Sequence, residues 1–365
     1  MTTDGLEEDV DDYLIPLFHQ QLSELIAKMI DIEPEPNFKL GFITDTHYID
    51  NSFPPRETKN YLHARNIAEL SLLQDIDLIV HGGDISYDYS TKQDLISCIL
   101  KTTKELREAK CPIAIVQGNH DTGDMSAFLK GRDPKLMISP KEWGRLISIE
   151  NDDRVYGDFS RSYYFKDFEN KKIRVIVLNT HDAWFIVEDG KVKYNRGQNA
   201  GGYPRIEALK SEQLEWLAND ALNFEDKDNY GVMIISHSNL SKDLRIGRPA
   251  PINYDVAEGL IVARKNKTKY ASISTKGDFG QNIQVDYSTA NDVDIICCIN
   301  GHSHDDIQIV RNGITFISTT CSRDRIDTTK ITGTDAWDVF NVNTEEKTVK
   351  VKRFGNRGKD REFSY

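Results

Sequence analysis

Residues 113–121 read Ile113-Ala114-Ile115-Val116-Gln117-Gly118-Asn119-His120-Asp121. The four apolar residues predict a buried strand, and Gly118 lets the backbone turn sharply after it. Three consecutive side chains able to bind metal or move protons come next. Strand, tight turn and polar cluster is how an open sheet presents a site at the carboxyl end of a strand. One such turn is common loop chemistry and decides nothing alone.

The pattern repeats outward in both directions. Lys39 to Thr44 predicts a first strand ending in Asp45-Thr46-His47, and Asp77 to Val80 a second ending in Gly82-Gly83-Asp84. Lys172 to Leu178 ends in Asn179-Thr180-His181-Asp182, Gly231 to Ile235 in Ser236-His237-Ser238, and Asp294 to Ile299 in Asn300-Gly301-His302-Ser303-His304. Helical periodicity falls between them, around Tyr61–Leu73, near Thr91–Ala109 and over Ser211 to Leu222. Residues 122–170 read as mixed and turn-rich. Ile314 to Ile317, Trp337 to Val342 and Thr348 to Phe354 predict antiparallel strands closing the domain. Alternating strands and helices place the chain in the α/β class.

Asp45, His47, Asp84, Asn119, His237, His302 and His304 therefore all lie just past predicted strand ends. Strand alternation would aim Asp45 and His47 the same way, and likewise His302 and His304. Hard oxygen and imidazole donors without thiolate suit manganese, iron, nickel or zinc. Seven candidate ligands exceed one tetrahedral ion and match two. Two ions about 3.5–4 Å apart need a bridging carboxylate, for which Asp84 is placed.

These residues resemble the calcineurin-like metallophosphoesterase superfamily, whose D-x-H, G-D, G-N-H-[DE], lone H and G-H-x-H motifs occur here in order from Lys39 to His304. The resemblance implies a four-layer α/β/β/α sandwich with the site at one edge. It implies one metal on Asp45, His47, Asp84 and His304 and a second on Asp84, Asn119, His237 and His302, with manganese favoured. It assigns His120 to protonate the leaving oxygen, with Asp121 orienting its ring. Asp121 in place of Glu, and Gly83-Asp84-Ile85-Ser86 without a D-R-G continuation, look nearer to bacterial and phage-encoded phosphoesterases than to protein Ser/Thr phosphatases. The implied activity is hydrolysis of an anionic phosphodiester or phosphomonoester by metal-bound water, the diester favoured because no arginine cluster stands out. The rival is a scaffold or phage-particle component on the same fold, or an enzyme acting on a phosphate-linked cell-surface polymer.

The rest of the 365 residues bounds the partners. A net charge of -12 argues against general nucleic-acid or anionic-membrane affinity, and no apolar run is long enough to span a bilayer. The five cysteines, in apolar or strand-like surroundings or just before a strand and without a C-x-x-C pair, point to reduced core or near-core residues. The expected location is the cytoplasm, with a phage particle or cell surface as alternative. Residues 1–36 read as an acidic helical arm and linker before a catalytic domain over 37–365. Ile15, Phe18, Leu22, Leu25 and Met29 form an a/d stripe that either packs on its own domain or makes a homo-oligomeric seam. Glu33-Pro34-Glu35-Pro36 reads as a stiff linker. His19 and His63 fall on helical patterns, His81 ends a strand, and His181 with Asp182 could line the substrate mouth. Asp243 to Gln284 is long for a connection and predicts a cap or lid. Its Arg264, Lys265, Lys267, Lys269 and Lys276 make either a solvated face or a patch attracting an anionic substrate.

Overall fold

A computed structural model describes residues 22–28, 37–49, 60–87, 91–123, 134–148, 155–156, 161–182, 186–188, 191–193, 207–244, 251–275, 279–323, 335–355 and 358–365. Helix α1 covers 22–28. In chain order follow β1 (Phe38–Ile43), α2 (Tyr61–Leu73), β2 (Leu78–His81), α3 (Lys92–Leu106), β3 (Ile113–Ile115), α4 (Pro140–Ser148), β4 (Val155–Tyr156), β5 (Tyr164–Phe168) and β6 (Ile173–Leu178). The short strands β7 (Ile186–Glu188) and β8 (Lys191–Lys193) pair with each other. Helix α5 (Ser211–Trp216), β9 (Tyr230–Ser236), α6 (Tyr254–Asn266), β10 (Lys269–Ser274), β11 (Gln281–Asp286) and β12 (Val293–Asn300) come next. The chain ends with β13 (Ile307–Arg311), β14 (Ile314–Ser318), β15 (Ala336–Asn343), β16 (Thr348–Gly355) and β17 (Arg361–Ser364). Among the described residues no helix is long and apolar enough to cross a membrane.

Two mixed sheets face each other. One has seven strands in the order β17-β16-β15-β1-β2-β3-β4, the other six in the order β13-β14-β12-β9-β6-β5. Strand alternation decides which residues lie between them. Phe38, Leu40 and Phe42 of β1 meet Val175, Val177, Met233 and Ile235 in the inter-sheet core. The alternate residues point outward: Ile43 and Ile79 pack under α2 with Ile67, and Ile176 and Ile234 pack under α5 and α6 with Leu214 and Leu260. The result is an α/β/β/α sandwich. Strand β12 departs once from alternation, with a register shift between Ile295 and Cys297 that turns both Ile296 and Cys297 into the inter-sheet core.

Local chemistry explains the helix boundaries. Thr91 Oγ1 accepts from Asp94 N at 3.2 Å and Asp94 Oδ2 accepts from Thr91 N at 3.3 Å, a capping box that starts α3. Helix α5 widens into a π-helical turn over Leu217–Ala221. Buried Arg174 gathers the carbonyls of Ala221 and Asn223 that the turn leaves, at 2.9 and 2.8 Å.

Three expectations change. Strand β14 is not purely antiparallel, since it pairs parallel with β12 and antiparallel with β13. The described residues of 243–284 pack into the sandwich and form no separate lid, because α6 buries Val256, Leu260 and Ile261 against the six-stranded sheet and β10 pairs with β11. The basic run divides, with Lys267 and Lys269 on a solvated face and Arg264 drawn into the interior. Arg264 is buried and donates to Leu222 O and Asn291 O, Lys265 reaches Gly313 O, and Lys267 and Lys269 pair with Asp292 and Asp286 at 3.0 Å. Lys276 lies outside the described residues.

All five cysteines are buried and free. In α1, Leu22 and Leu25 are buried against Ile67, Trp337 and Phe354 of the same chain. Ile15, Phe18 and Met29, the acidic start and the 33–36 linker lie outside the described residues. Leu25→Ala is expected to lower stability by about 2–5 kcal/mol, seen as a lower urea midpoint at unchanged slope. An unchanged midpoint would mean that the helix does not dock there.

Candidate metal centre

Strands β1, β2 and β3 run parallel in one sheet, and β6, β9, β12 and β14 in the other. Their carboxyl ends meet at one edge, and the seven candidate residues sit on the loops that leave them. The first two loops bind each other: Asp45 N donates to Gly83 O at 2.9 Å and His47 N to Asp84 O at 3.0 Å. Gly118 and Gly301 permit the remaining approach, because a Cβ on the first would collide with Asp84 and on the second with Asp45.

Strand alternation does not aim the ligands, contrary to the sequence reading. Asp45, His47, Asp84, His302 and His304 have φ of 54°, 47°, 52°, 65° and 59°. All five stand on left-handed turns beyond the strands, and these turns swing their side chains inward.

The donor atoms of Asp45, His47, Asp84 and His304 lie within 4.8 Å of one another, as do those of Asp84, His237 and His302. Asp84 is common to both groups. In the first, His47 Nε2 is 3.1 Å from His304 Nε2, which is 3.0 Å from Asp45 Oδ1. In the second, His237 Nε2 is 3.2 Å from Asp84 Oδ2, from Asn119 Oδ1 and from His302 Nδ1. His237 Nδ1 donates to Gly82 O at 2.8 Å, which fixes the ring with Nε2 facing the cluster.

The electrostatics call for a cation. Asp45 and Asp84 are fully buried, and their ion-pair partners among the described residues are all histidines. Burial would raise both carboxyls, yet His304 beside Asp45 and His237 beside Asp84 hold them well below the usual range. Burial would lower His237, but Asp84 pushes it up to about 10. Burial takes His47 down to about 4. Buried carboxylates without lysine or arginine, ringed by imidazoles facing nitrogen to nitrogen, form a donor set that a divalent ion completes.

His120 lies outside both groups. Its ring packs edge-on to His47 at 4.7 Å and against Tyr87 at 5.0 Å, and its Nε2 is 3.9 Å from Asp84 Oδ2. Asp121 does not hydrogen-bond that ring. Its oxygens accept from Gly118 N at 2.9 Å and Ser86 N at 3.1 Å, so it fixes the two loops rather than the imidazole. Burial and the nearby Asp84 charge push Asp121 up to about 7.

The other histidines support the frame. His63 is buried with Nδ1 2.9 Å from Ser322 O. His81 Nδ1 accepts from Gly83 N at 3.2 Å, which steadies the turn before Asp84. His181 is buried behind His237, with ring centroids 5.6 Å apart and its Nε2 3.3 Å from Ser238 Oγ. Asp182 accepts from Gln213 Nε2 at 3.1 Å and is equally buried. Arg353 bridges Asp306 and Asp338 beneath the His304 loop, while Thr320 Oγ1 donates to His304 O at 3.0 Å. Tyr87 and Glu207 are the neighbours that no motif marked. Glu207 Oε1 is 3.1 Å from His302 Nε2.

The sequence profile of the calcineurin-like phosphoesterase family matches residues 38–306. No curated protein sequence matches the chain. Among solved structures it is similar to a dimetal phosphatase from Danio rerio, with 16% identity and a TM-score of 0.58, covering 91% of this chain and 100% of that one. It is also similar to a purple acid phosphatase from yellow lupin (Lupinus luteus) seeds, at 12% identity and TM-score 0.42, covering 91% and 54%. A third is the anchor in the inner membrane complex of Plasmodium, at 12% and 0.44, covering 89% and 90%. Only the first likeness carries weight, and at that identity it bears on the fold alone.

Proposed function

Because the chain belongs to the calcineurin-like phosphoesterase family, we propose that it is a binuclear metal-dependent phosphoesterase cleaving phosphodiesters in preference to phosphomonoesters. The observation that carries this reading is the sharing of Asp84 by both ligand groups. Asp45, His47, Asp84 and His304 would hold one cation, and Asp84, Asn119, His237 and His302 the other. When bound, two divalent cations lower the pKa of water and offset negative charge on the phosphoryl oxygens. Manganese fits the carboxylate, amide and imidazole donors, with iron, zinc or nickel as alternatives.

His120 protonates the leaving oxygen from its place beside the ligand groups and between the rings of His47 and Tyr87. Asp121 acts through the backbone, by holding Gly118 and Ser86 and so the loop that carries His120. The diester preference rests on charge: among the described residues, the ion-pair partners of Asp45 and Asp84 include no lysine or arginine suited to a terminal dianion.

The test is hydrolysis of bis(nitrophenyl) phosphate and nitrophenyl phosphate by metal-stripped protein before and after manganese is added. Both rates should depend on the metal, with the diester faster, and a chelator should abolish them. Hydrolysis that survives complete metal removal would overturn the reading, and a faster monoester would reverse the substrate preference.

A further inference from the structure

Glu207 lies outside every ligand motif, yet its carboxylate reaches the ring of His302. The contact is built by long-range backbone pairing. Ala208 N donates to Thr180 O at 2.8 Å, Ile252 N to Glu207 O at 2.8 Å, and Leu209 N to Ile252 O at 3.1 Å. Three segments distant in sequence thus meet as paired bridges, Ala208 with His181 on one side and with Ile252 on the other. They fix the backbone of Glu207 beside the ligand cluster.

A neutral imidazole has one N–H and one lone pair, and which nitrogen carries which is set by its neighbours. Nδ1 of His302 faces the cluster, 3.2 Å from His237 Nε2. Nε2 faces Glu207 Oε1 at 3.1 Å. An ionised carboxylate only accepts, so the proton belongs on Nε2 and the lone pair on Nδ1. Glu207 belongs to neither ligand group, so it acts through the ring and not on the cation. His237 solves the same problem with the carbonyl of Gly82, a neutral acceptor. A charged acceptor makes the stronger bond and the more basic imidazole.

We propose that Glu207 is a positioning residue for His302: it holds the Nε2–H tautomer with Nδ1 turned into the cluster, and so tightens the cation bound by Asp84, Asn119, His237 and His302. This rests on the two-cation reading above. It also supplies a third negative charge near a site where Asp45 and Asp84 give only two against two divalent ions. The cation on the Asp45 side has no such support, since no carboxylate beyond Asp45 and Asp84 pairs with His47 or His304 among the described residues.

The test uses the full chain as wild type, Glu207→Ala and the near-isosteric Glu207→Gln. Each protein is stripped of metal and titrated with manganese(II), free ion being counted by electron paramagnetic resonance. Glu207→Ala should weaken one of two binding events by about 10- to 100-fold and leave the other unchanged. Glu207→Gln, whose amide oxygen still accepts, should fall between. In metal-free protein, nitrogen-15 spectra should show the Nε2–H tautomer of His302 in wild type and Glu207→Gln, and a tautomer mixture in Glu207→Ala. Two manganese ions in the wild type with unchanged affinities in both variants would overturn the proposal alone. A His302 Nδ1–H tautomer in metal-free wild type would do the same. A wild type binding fewer than two ions would overturn the two-cation reading and the proposal with it.

Discussion

Asp84→Asn should lose more than one cation per chain, whereas His47→Ala should mainly weaken one. Asp84 Oδ2 lies 3.2 Å from His237 Nε2 and 3.7 Å from His47 Nε2, so it reaches into both ligand groups. Asparagine keeps the shape and one oxygen but not the charge. Two divalent ions about 4 Å apart repel by about 16 kcal/mol at an effective dielectric of about 20, and a shared anion offsets that. No other carboxylate belongs to both groups. Metal analysis of gel-filtered protein is the check. Retention of both ions with full activity in Asp84→Asn would end the two-metal assignment.

His120→Ala should keep both metals and the fold while losing about 10²–10⁴-fold in turnover. His120 is outside the ligand groups, and its backbone rather than its ring holds Asp84, through His120 N to Oδ1 at 2.7 Å. Alanine retains that bond. If the ring protonates the leaving oxygen, the loss should shrink for nitrophenolate, which needs little proton assistance, and stay large for alkoxides. Turnover across esters graded by leaving-group pKa distinguishes the possibilities. A uniform loss would favour charge stabilisation on the phosphoryl oxygens, and loss of metal would make His120 a ligand.

Most of the candidate site's composition was legible in the sequence because its residues cluster immediately after short apolar runs. Asp45, Asp84, Asn119, His237 and His302 each follow a run that does form a parallel strand. Helix α2 was equally plain, since its apolar residues recur at helical spacing under the sheet. What failed to show was non-local. Helix α6 was obscured by the charges of Arg264 and Lys265, whose partners come from Leu222, Asn291 and Gly313. The left-handed turns carry no glycine at the ligand positions to announce them, so alternation was the natural but wrong account of how the ligands converge. Glu207 reaches His302 only through bridges to residues 180–181 and 252, which no local pattern encodes.

The left-handed turns bear on how such a chain would drift. A non-glycine residue there costs about 1 kcal/mol, so the five together burden the native state by about 5 kcal/mol. Domains are commonly stable by only about 5–15 kcal/mol. Glycine at any of the five would return part of that cost and remove a ligand at once. In a lineage that kept this sandwich only as a scaffold, glycine would relieve that backbone cost at the expense of the bonds these side chains make, such as His120 N to Asp84 Oδ1 and His302 N to Asp45 Oδ2. The present chain holds two aspartates and three histidines there instead.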